Sequence, residues 1–309
     1  MFRLAHISDP HLGPLPKVSF SELASKRVTG YVNWRRNRAH HLFGAALETV
    51  VEAIAAEGVD HLAITGDLVN LATSTEIETA KAWLQTHFDP ARTTLVPGNH
   101  DAYVPGALRR ATRSWLPWVM SGGNADTRKA SPFPTIANRG EVAIIGISSA
   151  NASLPFMATG DFSSRQAHAA GRLLDAAGKE GRFRVVLIHH PPVHGAAAWH
   201  KRLKGITRFR RMIRAHGAEL VLHGHTHLDT LYHIAGPRGP VPVVGIASAS
   251  QGPGGTKPPA AFNLFEISGE PGKWAIGHRR LSLSDSGREV VDNETAPRVG
   301  AAPVKSRVS

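Results

Sequence analysis

Five short apolar runs in this chain each end in a cluster of Asp, Asn and His, and that repetition constrains the fold more than any other feature. Phe2–Ser8 runs into Asp9-Pro10-His11, and Asp60–Thr65 runs into Gly66-Asp67. Thr93–Pro97 delivers Gly98-Asn99-His100-Asp101, Phe183–Ile188 ends in His189-His190-Pro191-Pro192, and Glu219–Leu222 ends in His223-Gly224-His225-Thr226-His227. A short apolar run closed by turn residues reads as a buried strand. Chemistry in α/β sheets collects at the carboxyl ends of such strands. Asp9 and His11, two residues apart in extended backbone, point to the same side and can hold one ion. Asn99 offers a neutral oxygen ligand, His100 a proton carrier, and Asp101 a carboxylate able to fix an imidazole tautomer.

Between these runs the pattern turns helical. Leu47, Val50, Val51 and Ile54 form an i, i+3, i+4, i+7 stripe over residues 42–57, closed by Gly58. A second helix is predicted over 75–87, capped by Ser74 or Thr75, and a third over 163–177, capped by Ser163 or Ser164. A basic amphipathic helix is predicted over 201–214. The β–α–β–α–β order argues an α/β layer arrangement with parallel central strands. Residues 133–137 and 141–147 read as an antiparallel pair, and short strands near 228–234, 241–247, 261–267 and 274–280 complete the ordered part. There is no internal repeat and no interdomain linker, so one catalytic domain over residues 1–282 is expected, with a basic insertion at about 12–41. Residues 283–309, polar and aperiodic, read as a disordered tail.

The chain of 309 residues has 18 His and no Cys, so any metal must be held by His, Asp, Glu, Asn or water. An apolar fraction of 42% excludes disorder of the whole chain. The formal charge of +12 favours anionic partners without choosing among them. The first eight residues lack the apolar core of a signal peptide, and no run is long enough to span a bilayer. A cytoplasmic location is therefore expected, with the inner membrane face as an option within it.

Taken in order, Asp9-x-His11, Gly66-Asp67, Gly98-Asn99-His100-Asp101, His189 and Gly224-His225-Thr226-His227 resemble the calcineurin-like metallophosphoesterase superfamily, with no element missing over residues 9–227. The resemblance implies two facing mixed β-sheets flanked by helices. It implies that Asp9, His11, Asp67 and His227 hold one metal ion, and that Asp67, Asn99, His189 and His225 hold the other. The ions implied are two of Mn, Fe or Zn, consistent with a donor set of O and N without sulfur. His189 rather than His190 is taken as the ligand because the family pattern places it two residues before Pro191. His100 is similar to the family residue that assists the leaving group, with Asp101 orienting it.

The activity so implied is hydrolysis of a phosphodiester, phosphomonoester or pyrophosphate by metal-activated hydroxide attack on phosphorus. The His189-His190-Pro191-Pro192 form resembles the branch holding cyclic-nucleotide and glycerophospho-diesterases. The alternatives are a pyrophosphohydrolase of the UDP-diacylglucosamine type at the membrane surface, a nuclease, and, last, a non-catalytic binding module. The expected partners are a small phosphorylated substrate and an anionic membrane surface, with nucleic acid ranked lower. Residues 12–41, 104–130 and 192–214, all basic, are where substrate contacts are expected, because specificity lies on loops.

Overall fold

The structure is a computed structural model that describes residues 1–15, 26–28, 31, 44–123, 131–295 and 298–299. Most of the basic insertion expected over 12–41 lies outside these residues. The described elements run β1 (Phe2–Ile7), α1 (Gly44–Ala56), β2 (His61–Ile64), α2 (Ser74–His87), β3 (Thr93–Leu95), α3 (Ala107–Ser114) and α4 (Leu116–Val119). There follow β4 (Thr135–Arg139), β5 (Val142–Gly146), β6 (Gly160–Asp161), α5 (Ser164–Lys179), β7 (Phe183–Leu187), β8 (Leu203–Lys204) and α6 (Ile206–His216). The chain closes with β9 (Leu220–His223), β10 (Thr230–Gly236), β11 (Gly239–Gly245), β12 (Ala261–Ser268), β13 (Ala275–Leu283) and β14 (Val290–Asp292).

Two six-stranded mixed sheets face each other. The first has the order β14-β13-β12-β1-β2-β3 and the second β10-β11-β9-β7-β5-β4. β1, β2 and β3 are parallel, as are β5, β7, β9 and β11, and a parallel bridge joins the two sets, so the five motif-bearing strands present their carboxyl ends to one edge. The period of two in each strand divides its side chains between layers. Phe183, Val185 and Leu187 of β7 pack between the sheets, with Leu4, Ala63 and Val96 of the first sheet opposite. Val186 and Ile188 turn outward beneath α5 and α6. Ala5, Ile7, Leu62 and Ile64 likewise turn outward beneath α1 and α2. The polar break in β7, Arg184, is buried because Glu219 takes its Nε and Nη2 at 3.0 and 2.7 Å at the far edge of the sheet.

The α1 stripe is buried as its spacing predicts. Three expectations are corrected. The cap of α2 is Thr73, not Ser74 or Thr75: its hydroxyl accepts from the Glu76 N–H while the Glu76 carboxylate accepts from the Thr73 N–H, a reciprocal capping box. The helix predicted over 201–214 begins only at Ile206, because Gly205 sits at φ 94° and Leu203–Lys204 pairs in parallel with Gly160–Asp161. Order does not end at residue 282: β14 pairs with β13, and the Val299 N–H donates to His278 Nδ1 at 3.0 Å. Residues 300–309 lie outside the described residues. Among the described residues, no helix is long and apolar enough to cross a membrane.

Candidate functional site

The two sheets are stitched together at the edge where the motifs converge. Ser8, just past β1, bridges to Ser248, just past β11, and the Ser248 hydroxyl donates to the Asp9 carbonyl at 2.6 Å. Gly98 and Gly224 permit this closeness. A Cβ on Gly98 would lie 2.1 Å from Asp67 Oδ1, and one on Gly224 would lie 1.7 Å from Ser8 Oγ and 2.5 Å from Asp9 Oδ2. The backbone is bent to its limit here. Of eight non-glycine residues with positive φ among those described, five are Asp9, His11, Asp67, His225 and His227. Such conformations persist where surrounding structure over-determines them.

The structure brings all nine sequence-predicted residues to this edge. Asp67 Oδ2 stands 3.9 Å from His11 Nε2 and 3.4 Å from His189 Nε2, so one carboxylate oxygen lies between two groups of donors. On one side, His227 Nε2 is 3.1 Å from Asp9 Oδ1 and 3.3 Å from His11 Nε2. On the other, His189 Nε2 is 3.1 Å from Asn99 Oδ1. Two donors on one ion at roughly 2.1 Å, in tetrahedral or octahedral arrangement, are about 3.0–3.4 Å apart, so these separations fit ligation after small adjustment. An orphaned atom points the same way: buried His225 Nδ1 has no hydrogen-bond partner.

For three of the candidate imidazoles the second nitrogen shows which atom faces the centre. His189 Nδ1 donates to the Thr65 carbonyl at 2.6 Å, His11 Nδ1 to that of Val69 at 3.3 Å, and His225 Nε2 to that of Lys201 at 2.9 Å. Each bond fixes the tautomer and turns the other nitrogen toward the centre. His190 is different. Its Nδ1 accepts from the Ser149 hydroxyl at 2.8 Å and its Nε2 donates to the Ala158 carbonyl at 3.1 Å, so both nitrogens are committed to protein partners. His189 is thus the one of the pair that offers a nitrogen.

The charges are mutually balanced. Burial opposes ionisation of Asp9, but His227 and His189 hold its carboxyl well below the usual range. Burial also opposes charge on His189, yet the Asp67 and Asp9 carboxylates outweigh it and push the imidazole up to about 9. Burial and the neighbouring His189 push His190 down to about 3, so it stays neutral.

His100 is oriented by a group no motif shows. Its Nδ1 donates to the Asn70 carbonyl at 2.6 Å, which leaves proton exchange to Nε2. Its ring stacks on Tyr103 at 5.5 Å, and Lys26 stands over that tyrosine at 4.8 Å. The orienting role expected of Asp101 is corrected. Asp101 is fully buried and accepts four backbone N–H bonds, from Asp67, Leu68, Val69 and Gly98, at 2.8–3.2 Å. It ties the Asp67 loop to the Gly98 turn, while the bond that orients the His100 ring goes to the Asn70 carbonyl. Burial and Asp67 push its carboxyl up to about 7, against the pull of the Gly98 and Val69 N–H donors. The carbonyls of Thr65, Val69, Asn70 and Lys201 are the functional groups that residue types do not reveal, since every residue carries one.

Comparison with known proteins agrees with this geometry. No curated protein matched the sequence. Among solved structures, a dimetal phosphatase from Danio rerio superimposes with a TM-score of 0.57 at 14% identity, covering 94% of this chain and 98% of its own. The purple acid phosphatase PPD1 from yellow lupin (Lupinus luteus) seeds gives 0.57 at 11% identity, with 100% of this chain covered and 57% of that one. NAD nucleotidase (NadN) of Haemophilus influenzae gives 0.50 at 13%, covering 94% of this chain and 53% of that one. At such identities the likeness is one of fold. The profile of the calcineurin-like phosphoesterases matches residues 2–229, from β1 to just past the last motif. With its two facing sheets and its five motifs on one edge, the chain belongs to the calcineurin-like phosphoesterase family, and it is a metal-dependent hydrolase of that class.

Proposed function

We propose that the protein hydrolyses a phosphate ester at a dinuclear centre on this edge, with a phosphodiester as the preferred class. Asp9, His11, Asp67 and His227 would hold one ion, and Asp67, Asn99, His189 and His225 the other. The observation that carries this reading is Asp67 Oδ2 standing between His11 Nε2 and His189 Nε2, at 3.9 and 3.4 Å, so that its carboxylate faces both groups of donors. The sulfur-free donor set suits Mn, Fe or Zn. A pair of such ions supplies Lewis acidity toward the phosphoryl oxygens and a water of lowered pKa.

The rest of the chemistry belongs to the chain. The Nδ1–H bond from His100 to the Asn70 carbonyl holds the ring so that, in its imidazolium form, Nε2 can give its proton to the departing oxygen and return to the neutral Nδ1–H tautomer. Asp101 keeps Asp67 and the Gly98 turn in register through its four N–H bonds. The diester preference rests on the His189-His190-Pro191-Pro192 form of the fourth motif.

The test is steady-state hydrolysis, in Mn²⁺, of a chromogenic diester, a chromogenic monoester, a cyclic nucleotide and a UDP-sugar-lipid pyrophosphate. The expected result is diester turnover that falls on the order of 10²-fold or more in His100→Ala while metal content stays at the wild-type level. Asn99→Ala is expected to lower both metal content and rate. Turnover of the monoester alone would overturn the diester preference. No turnover of any member by protein loaded with two ions would overturn the substrate range.

A further inference from the structure

The loops that wall the metal edge carry apolar side chains that the fold leaves in water. Leu154, Phe156 and Trp199 are 76%, 82% and 67% exposed. They sit on two lips that are bonded to each other. The Ala158 N–H donates to the His200 carbonyl at 2.8 Å, the Gly160 N–H to that of Arg202 at 3.2 Å, and β6 pairs with β8. Phe156 is held with φ at 63°, a conformation that bulky residues avoid. A strained backbone that holds an aromatic ring in solvent has no evident benefit to the isolated fold. Exposed apolar clusters of this kind mark interaction sites.

The charge around the lips points to the kind of partner. Residues 150–160 and 192–205 contain no Asp or Glu, the exposed Asp161 that ends β6 lies opposite Lys204, and the second stretch contains Lys201, Arg202 and Lys204, all exposed. Lys257, exposed on the same edge, donates to the Thr226 carbonyl between His225 and His227. Large apolar side chains interleaved with lysine and arginine suit the boundary of an anionic bilayer, where rings enter the headgroup region and cations meet lipid phosphates.

We infer that these two lips dock the protein onto an anionic lipid surface, with the metal edge facing the membrane. Docking and the site are physically joined. The Trp199 lip supplies the Lys201 carbonyl that fixes His225, and the Phe156 lip supplies the Ala158 carbonyl that fixes His190 beside His189. A substrate presented at that interface meets the site without first leaving the lipid.

Flotation with vesicles tests this without turnover, so its failure leaves the hydrolytic reading standing. Full-length protein is mixed with vesicles of phosphatidylcholine alone, or of phosphatidylcholine with phosphatidylglycerol. The expected result is flotation with the anionic vesicles only, weakened by added salt. The bound fraction should fall about tenfold in the Leu154→Ser/Phe156→Ser/Trp199→Ser variant and in Arg202→Glu/Lys204→Glu. Both variants should keep the wild-type melting temperature and the wild-type metal content. The inference is overturned if the wild type does not float, if it floats equally with both vesicles, or if the apolar variant floats as well as the wild type. Self-association abolished by the apolar variant, in a protein that ignores vesicles, would overturn it in favour of a second copy of the chain.

Discussion

Asp101 shows how a side chain can be legible in identity and illegible in task. Its place after Gly98-Asn99-His100 marks it for the site, and the structure puts it there, but its partners are four backbone N–H groups rather than the imidazole beside it. Residue types cannot announce a bond to main chain. The same blindness hides the carbonyls of Thr65, Val69, Asn70 and Lys201, which set the tautomers of His189, His11, His100 and His225. That nine candidate residues gather at one edge was readable because strand ends fix their spacing. A prediction follows for Asp101→Asn. One amide oxygen can still accept, but the NH₂ group faces two donors, and each unsatisfied buried N–H costs about 1–3 kcal/mol. Stability should fall by roughly 2–6 kcal/mol in a urea melt. Hydrolysis should drop at every pH with the shape of the pH–rate profile kept, because Asp67 is displaced while His100 keeps its carbonyl. A stable variant with an altered profile would restore the orienting role.

At the scale of elements, α2 is anchored to the site through its first turn. Glu76 closes the capping box and also accepts from the Asn70 and Leu71 N–H groups, and the Asn70 carbonyl in turn receives His100. Sequence reading located this helix by its start signals and missed the cap by a residue, because Thr73, Ser74 and Thr75 are all plausible caps until one side chain is seen to bond. The helix predicted from 201 failed for a different reason: the run of basic residues continues through Gly205, while the backbone there does not. Two substitutions separate the cap from the anchor. Thr73→Ala should cost about 1 kcal/mol and lower the melting temperature by roughly 2–4 °C with the rate preserved. Glu76→Ala frees the Asn70 loop as well, so it should cost more and slow hydrolysis on the order of tenfold. Equal rates in the two variants would show that the link from α2 to His100 carries nothing.

At the scale of the molecule, buried neutral histidines make the fold sensitive to acid. His61, whose Nε2 lies 2.8 Å from Thr94 Oγ1 between β2 and β3, is pushed down to about 3 by burial and by Arg139 and Arg92. His278 is pushed down to about 3 by burial, Arg280 and Arg298. Both take a proton near pH 6.5 once unfolded, so between about 6.5 and 3 the unfolded chain binds more protons than the folded one. Their stabilisation is complete above pH 6.5 and drains away as pH falls, by about 1.4 kcal/mol per pH unit for each histidine. Urea midpoints should therefore fall steeply below pH 6.5, and His61→Gln should flatten the slope by that single increment. An unchanged slope would mean that His61 is already charged in the fold. The two-sheet architecture was legible only through resemblance: periodicity finds strands one at a time, and the order in which twelve of them assemble is set by contacts far apart in sequence. The short edge strand β14 escaped because three polar-flanked residues carry no alternation to detect.

The bridge from Ser8 to Ser248 puts the site on the seam of the sandwich. Asp9, His11, Asp67 and Asn99 come from one sheet, and His189, His225 and His227 from the other. Mechanically, the ligand set is a clasp: neither half can complete it alone, and any parting of the layers at that edge unfastens it. With ions on the proposed ligand set, occupancy and closure would be a single variable: a chelator would act as a wedge, and loosening that begins as far away as the packed interior would be felt first as lost ions.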